Sequence, residues 1–466
     1  MKYYLRILIC AIVACIVVAC APTFYEKTFE LNKALAEGNY DQAAVIMQQS
    51  EKKMSSGRLE FLYYVNAGMV ASLQENFDQS NQYFQKADLF VEDHKKNVFE
   101  EGGALLLNPN LTTYPGEDHE KLMINYFKAL NYLEMRQYNE ALVECKRMNL
   151  RLQQLSDKYK SDKKYKKDAF IHVMMGIIYE AFNDPNNAFI AYRNALDIYQ
   201  NEYAALFNTP VPQQLKLDLV RTAQETGLYD DAARYSKQFK LEVGKDESYA
   251  NLVLLWNNGM SPVKDEWGVN FAVIQGKNGW VTFVNKELGM SFPFYCGNDK
   301  PTVTWVKAVF PKYVERKSFY KSAKLSDQDH TYLFSHAEDI NAISFKVLEE
   351  RMLLEFSKTL LRVAMKQSIA AKVSQENEGW GAALSILGSA TESADTRSWQ
   401  SLPKDISYVR VPLKEGQTSI DIELTNIKGG KEKRTIELPK FVKGETVVLP
   451  YYTLSSFAPQ TASYGF

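Results

Sequence analysis

The chain has 466 residues, 46% hydrophobic and 24% charged, with 55 basic side chains against 56 acidic ones. That composition excludes a disordered or fibrous protein and leaves material for two globular domains. A net charge of -1 removes the electrostatic basis for nucleic-acid binding.

Lys2 and Arg6 open the chain, and an uncharged apolar run follows from Ile7 to Ala19. The run has the length of a signal-peptide hydrophobic region and falls short of the roughly 20 residues that span a bilayer. It ends in Val17-Val18-Ala19-Cys20, which resembles the lipobox of bacterial lipoproteins, with the Cys20 thiol as acyl acceptor and cleavage after Ala19. Ile12-Val13-Ala14-Cys15 is a weaker second match, because cleavage there leaves a very short hydrophobic region. The reading is a signal peptide over 1–19 and a mature chain lipid-anchored at Cys20, with a balance of about -3 once Lys2 and Arg6 are gone. A diacylglyceryl pair plus an N-acyl chain anchors stably without a transmembrane helix, and no later apolar run approaches about 18 residues. Ala21 resembles neither an inner-membrane retention residue nor a surface-export signal, so the expected address is the outer membrane, facing the periplasm. Cys145 and Cys296 then remain as thiols. They either pair or sit buried as small apolar groups.

A short phrase recurs through the first half: Tyr40-Asp-Gln-Ala43, Phe77-Asp-Gln-Ser80, Tyr138-Asn-Glu-Ala141, Pro185-Asn-Asn-Ala188 and Tyr229-Asp-Asp-Ala232. In each, a ring or proline closes a turn and a small residue three positions on lets two helices approach. The fullest copy adds Gly176, Tyr179, Tyr192 and Ala195, the small–large spacing of a tetratricopeptide repeat, and Gly68, Ser80, Phe84 and Ala87 repeat it. Successive small residues lie 37, 61, 47 and 44 positions apart. The ideal period is about 34, so these are divergent repeats with insertions, the largest holding Gly102-Gly103-Ala104-Leu105-Leu106-Leu107. The spacing predicts an all-α tetratricopeptide-like solenoid over 20–248. Stacked helix pairs make a curved surface suited to a protein or peptide; the alternative is that the array only holds the other domain.

From about Asn251 the period shortens. Leu252 to Trp256, Val269 to Gln275, Trp280 to Val284 and Thr302 to Phe310 read as strands, with Gly276-Lys277-Asn278-Gly279 as a hairpin loop. Asn341 to Lys372 reads as a long helix with Ile343, Val347, Leu354, Leu361 and Met365 on the face that packs on the sheet. Ile420, Ile422 and Leu424, the Gly429-Gly430 turn, Thr435 to Leu438 and Glu445 to Leu449 supply further strands. The expected fold is multidomain, with the helical array followed by an α+β domain over 249–454 that has an antiparallel sheet, and a flexible tail over 455–466.

No residue pattern calls for a catalytic group, metal or cofactor. His94, His119, His172, His330 and His336 lack metal-helix spacing, and phosphate-loop, dinucleotide and nucleophile-elbow motifs are absent. Glu117, Asp118, His119 and Glu120 cluster after Pro115-Gly116, suiting either acid–base work or the start of a helix through its dipole. Asp395, Arg397 and Trp399 alternate, so in an extended segment they face one way and, with Trp380, would form a ligand platform; the alternative is an internal Asp–Arg pair and a tryptophan plug. Arg351, Lys358, Arg362 and Lys366 read as a solvated basic strip.

Five segments carry a family resemblance: Tyr114 to Glu120, Tyr126 to Leu133, Ala141 to Arg147, Asn258 to Lys264 and Ala394 to Pro403. In that order they resemble an uncharacterised family of bacterial outer-membrane lipoproteins with tetratricopeptide-like repeats and a C-terminal α+β domain. The resemblance implies an architecture and an address, and no chemistry. The expected function is a non-enzymatic, membrane-tethered periplasmic adaptor that binds an envelope protein through its repeat surface. The alternatives are a regulator of peptidoglycan synthesis enzymes and a module for cell-wall glycan or peptide.

Overall fold

A computed structural model describes residues 22–97, 109–158, 165, 167–242, 244, 248–296, 304–326, 330–376 and 393–459. The signal segment, Cys20, the 102–107 insertion, Trp380 and residues 460–466 lie outside the described residues. No described helix is long and apolar enough to cross a membrane.

After a short helix α1 (Phe24–Lys27), closed by a Thr23–Glu26 capping box, the first half is built from helical hairpins. They pair α2 (Phe29–Ala36) with α3 (Tyr40–Met54), α4 (Glu60–Leu73) with α5 (Phe77–Asn97), and α6 (Asp118–Glu134) with α7 (Tyr138–Lys158). α8 (Ala169–Ala181) pairs with α9 (Pro185–Ile198), and, after a π-helical turn at Tyr199–Tyr203 and α10 (Ala204–Phe207), α11 (Gln213–Glu225) pairs with α12 (Tyr229–Phe239). Each recurrent phrase opens the second helix of a hairpin, and Ala43, Ser80, Ala141, Ala188 and Ala232 are all buried there.

The same turn recurs two residues before every phrase. Gly38, Glu75, Arg136, Asn183 and Gly227 all take positive φ, between 57 and 74°. In the second hairpin the Glu75 N–H donates to Ser72 O and the Asn76 N–H to Ala71 O, both at 2.9 Å, the Schellman closure that satisfies the last carbonyls of a helix. Close packing explains Gly68 and Gly176. A Cβ on Gly176 would stand 2.3 Å from the Tyr192 ring, and one on Gly68 would stand 2.8 Å from Phe84.

Among the described residues the second half forms three four-stranded sheets. The first runs β12 (Thr446–Thr453), β1 (Ala250–Asn258), β9 (Asp405–Leu413), β8 (Ser335–Asp339). The second runs β11 (Lys431–Glu437), β10 (Ser419–Asn426), β6 (Tyr320–Ser326), β7 (Thr331–Leu333), and the third β4 (Met290–Tyr295), β3 (Trp280–Asn285), β2 (Val263–Gln275), β5 (Trp305–Val314). The expectation of an antiparallel sheet holds for every pair except one: β12 lies parallel to β1, with Leu254 opposite Leu449.

Strand alternation explains the layering. On β1, Val253 and Leu255 join the core of the helical array, while Leu252, Leu254 and Trp256 face the second sheet's Leu325, Ile422 and Leu424. The first sheet is therefore covered on both sides. Trp399, Ile406 and Tyr408 also belong to the array's core, so the apolar interior runs straight across residue 248.

The long helix α13 (Ile340–Glu376) corrects its expected face. Ile343 and Val347 are buried, but Leu354, Leu361 and Met365 point outward, and Phe356, Leu360, Val363 and Ala364 cover the third sheet instead. The helix begins on the array and ends on the sheet, so its buried side rotates between two supports. The tail also differs from expectation over its described part: Ser456 bridges to Ser318, and the Phe457 N–H donates to Lys317 O at 2.8 Å.

Candidate functional site

The inner face of a helical-repeat array is its usual binding surface, and here the chain itself occupies it. The first helix of every hairpin touches the C-terminal half. Asn32 of α2 donates to Gln400 Oε1 at 2.8 Å, and Asn66 of α4 accepts from Ser401 Oγ at 2.8 Å. On α6, Glu120 accepts the Trp399 N–H at 2.7 Å and Tyr126 donates to Asn257 Oδ1 at 2.9 Å. Glu180 of α8 and Asp218 of α11 both take Arg410 of β9.

Residues 394–402 form the centre of this seam. Trp399 is 1% exposed, its indole N–H donating to Ser401 Oγ at 2.8 Å and its ring held against Phe84 and Phe127. Arg397 clamps Asp395 through two bonds of 2.8 Å, donates to Thr112 O at 2.8 Å and lies over the Tyr114 ring. The open platform is thus corrected in favour of the alternative reading: the segment is irregular, Arg397 pairs internally with Asp395, and Trp399 plugs the array. Trp380 lies outside the described residues.

The acidic cluster is spent on the same seam. Glu117 and Glu120 form a capping box at the start of α6. Burial would raise the Glu117 carboxyl, yet Lys264 and Arg351, both ion-paired to it, hold it well below the usual carboxylate range. Burial raises Glu120, which accepts from Tyr114 Oη at 2.8 Å and from two backbone N–H groups. Burial pushes His119 down to about 4, so its ring is neutral at pH 7, with Nε2 3.0 Å from Ser344 Oγ. These groups are buried and, His119 Nδ1 apart, partnered among themselves, and through Ser344 and Arg351 they lock α6 to α13. Arg351 and the buried Arg362 therefore do not belong to a solvated strip. Of the segments that carry the family resemblance, Tyr114 to Glu120, Tyr126 to Leu133, Asn258 to Lys264 and Ala394 to Pro403 meet at this seam.

Two polar clusters escaped the sequence reading. Glu180, Asp218, Arg221 and Arg410 form a buried network of two acids and two bases. Asp168 and Glu338 meet Tyr165 and Tyr203 near the start of α8, and burial raises both carboxyls. Cys145 and Cys296 are both free thiols. Among the described residues no group of His, Cys, Asp and Glu is arranged to hold a metal ion.

Clustered exposed apolar surface lies on the lobe made by β2–β5 and α13. Phe271, Val273, Val281 and Phe283 point at the helix, and the opposite side of the sheet shows Ile274, Trp280, Tyr295 and Trp305, the last two 68% and 65% exposed. Trp280 and Tyr295 are opposed in register with rings 5.7 Å apart. α13 adds an exposed stripe of Leu354, Leu361, Met365 and Ile369. On the outer helices of the array, Val45, Leu89 and Ile190 stand on separate helices, and among the described residues only α7 carries two such exposed apolar side chains, Val143 and Leu150.

No protein-family model matches the sequence, and no curated protein matches it. Solved structures resemble about half of the chain. BtubC (BKLC) from P. vanneervenii is 15% identical over 45% of this chain and 75% of its own, with a TM-score of 0.31. The apo form of RapI is 14% identical over 46% and 68%, with a TM-score of 0.33. A tetratricopeptide repeat protein from Parabacteroides merdae is 13% identical over 46% and 64%, with a TM-score of 0.29. At this distance the likeness carries no functional argument; the fold assignment rests on the hairpins themselves.

Proposed function

We propose that this protein is a non-enzymatic adaptor of the cell envelope, tethered through an acylated Cys20, whose partner protein docks on the aromatic side of the third sheet. One observation carries the reading: Ile274, Trp280, Tyr295 and Trp305 share a solvent-facing side, while the array's inner face is filled by residues 394–402 and β9. Tryptophan and tyrosine are the residues on which binding energy concentrates in protein interfaces. In this reading the array is a clamp that fixes the presenting lobe relative to the tether.

A photo-crosslinking amino acid placed at Ile274 or Tyr295 is expected to yield one adduct of defined mass in the native envelope. The same probe at Val143, exposed on α7, is expected to yield none. Adducts from Val143 alone would move the partner to the array and sink the sheet assignment. Acyl labelling tests the tether separately, with loss expected in Cys20→Ala.

A further inference from the structure

Arg316, between β5 and β6, is 1% exposed and has no carboxylate partner among the described residues. Its Nε donates to Ser261 O at 2.7 Å, Nη1 to Asn32 Oδ1 at 2.8 Å, and Nη2 to Gln400 O. All three acceptors are neutral. A guanidinium has five N–H groups, so one lacks an acceptor and another faces only the Met260 thioether at 3.6 Å. Other buried arginines of this fold are treated differently: Arg397 meets Asp395, and Arg410 and Arg221 meet Asp218 and Glu180. Burial pushes Arg316 down to about 9, which still leaves it a cation at neutral pH. A buried charge without a counter-charge is costly, and folds ordinarily pair it.

Arg316 borders a cavity of about 270 Å³ whose walls include the rings of Tyr25, Phe29, Phe319 and Phe457. Lys33 on α2 and Glu37, its C-cap, also line the cavity; their formal charges cancel, so the net charge of the lining is that of Arg316. The volume lies at the low end for small-molecule sites. Four of the lining side chains are rings, and the lining Ser455 and Ser456 hydroxyls and the Asn32 amide already donate to Ala36 O, Leu454 O and Gln400 Oε1. That disfavours a phosphate dianion and suits a single carboxylate carried on an apolar group.

We propose that this cavity binds a small carboxylate with an apolar or aromatic body, the carboxylate against Arg316 and the body among the four rings. The carboxylate supplies the missing counter-charge, and the rings supply apolar contact. Two sources share this chemistry, a free organic acid and the C-terminus of a peptide ending in an apolar residue.

Calorimetric titration of the full chain with 3-phenylpropionate and with its neutral amide tests the proposal. The acid is expected to bind at least about tenfold tighter, the worth of one charge-assisted pair. Arg316→Met is expected to erase that preference. Because that variant removes a buried clamp and is at risk of not folding, Ala36→Phe serves as the second: it fills the cavity without touching the guanidinium, and it is expected to abolish binding of both compounds. A hexapeptide ending in phenylalanine that binds more tightly than 3-phenylpropionate, and not as its C-terminal amide, assigns the peptide source; equal or weaker binding assigns the free acid. Equal affinity for acid and amide, saturable binding of inorganic phosphate, acid binding that survives Ala36→Phe, or no saturable binding of any probe overturns the proposal.

Discussion

Arg410 on β9 and Asp218 on α11, 192 residues apart, share a hydrogen bond of 2.8 Å, with neither side chain more than 7% exposed. The same guanidinium reaches Glu180 on α8, so one side chain from the sheet fastens two hairpins of the array.

Replacing Arg410 with methionine leaves Glu180 and Asp218 with Arg221 alone, a buried net negative charge. The expected loss is about 3–5 kcal/mol of stability, read by urea unfolding. With a core shared across residue 248, the wild-type chain is expected to unfold in one transition by circular dichroism and by tryptophan fluorescence. A second, separate transition would show that the array folds without its C-terminal half.

Gly176→Ala sets two effects against each other. Helix propensity favours alanine by about 1 kcal/mol, but the new methyl meets the Tyr192 ring at 2.3 Å. Overpacking in a tight core costs about 1–3 kcal/mol, and Tyr192 is fully buried, with its hydroxyl bonded to Glu180. The net expectation is a lower Tm; an unchanged or higher Tm would mean that α8 and α9 can separate.

Glu75→Gly is expected to stabilise by about 0.5 kcal/mol, since a left-handed backbone costs a non-glycine residue at least about 1 kcal/mol and glycine's unfolded-state entropy returns only part of it. It also removes a charge that, after burial, helps push Glu134 up to about 7. Arg136→Gly relieves the same backbone strain but forfeits the bond to Lys440 O and the 3.3 Å pair with Glu445, so no gain is expected. Chemical denaturation of both variants separates the two cases.

His119 gives a pH signature. Its folded pKa near 4 lies below the unfolded value of about 6.5. Between those values the unfolded chain binds more protons. The neutral ring's contribution is therefore present above pH 6.5 and lost as pH falls toward 4, by up to about 3 kcal/mol. Unfolding free energies from pH 7.5 down to 4.5 are expected to fall more steeply for the wild type than for His119→Gln. Parallel curves would remove His119 from the acid response.

The repeat phrases, the β2–β3 hairpin and the β10–β11 turn were legible because each is a local signal: a small residue at a fixed offset, or glycines where φ must be positive. β9 escaped because both its faces are buried, which leaves no alternation to read, and because Pro412 argues against a strand. Its clue was a lone arginine inside Tyr408-Val409-Arg410-Val411, a charge among β-branched residues that has to find a buried partner. The α13 face was misplaced because a single stripe was fitted to a helix that changes its support midway. For Asp395, Arg397 and Trp399 the structure takes the internal alternative, an Asp395–Arg397 pair and a Trp399 plug, since alternation gives one outward face only in a strand and residues 394–399 form none. Arg316 carries no signal in the sequence: its meaning lies in having only neutral acceptors among the described residues.

The parallel pairing of β12 with β1 also sets a timetable. A chain made from its amino end completes the helical hairpins first, but the sheet that covers them waits for a strand some 190 residues beyond β1. Until Thr446 to Thr453 arrives, β1 has an open edge and the part of the array's core that Val448 covers stays bare, the kind of surface that invites aggregation. Cells that make this protein have to shield a nearly complete chain from its neighbours, and a truncation that spares every hairpin but removes the last strand would leave it in that vulnerable state for good.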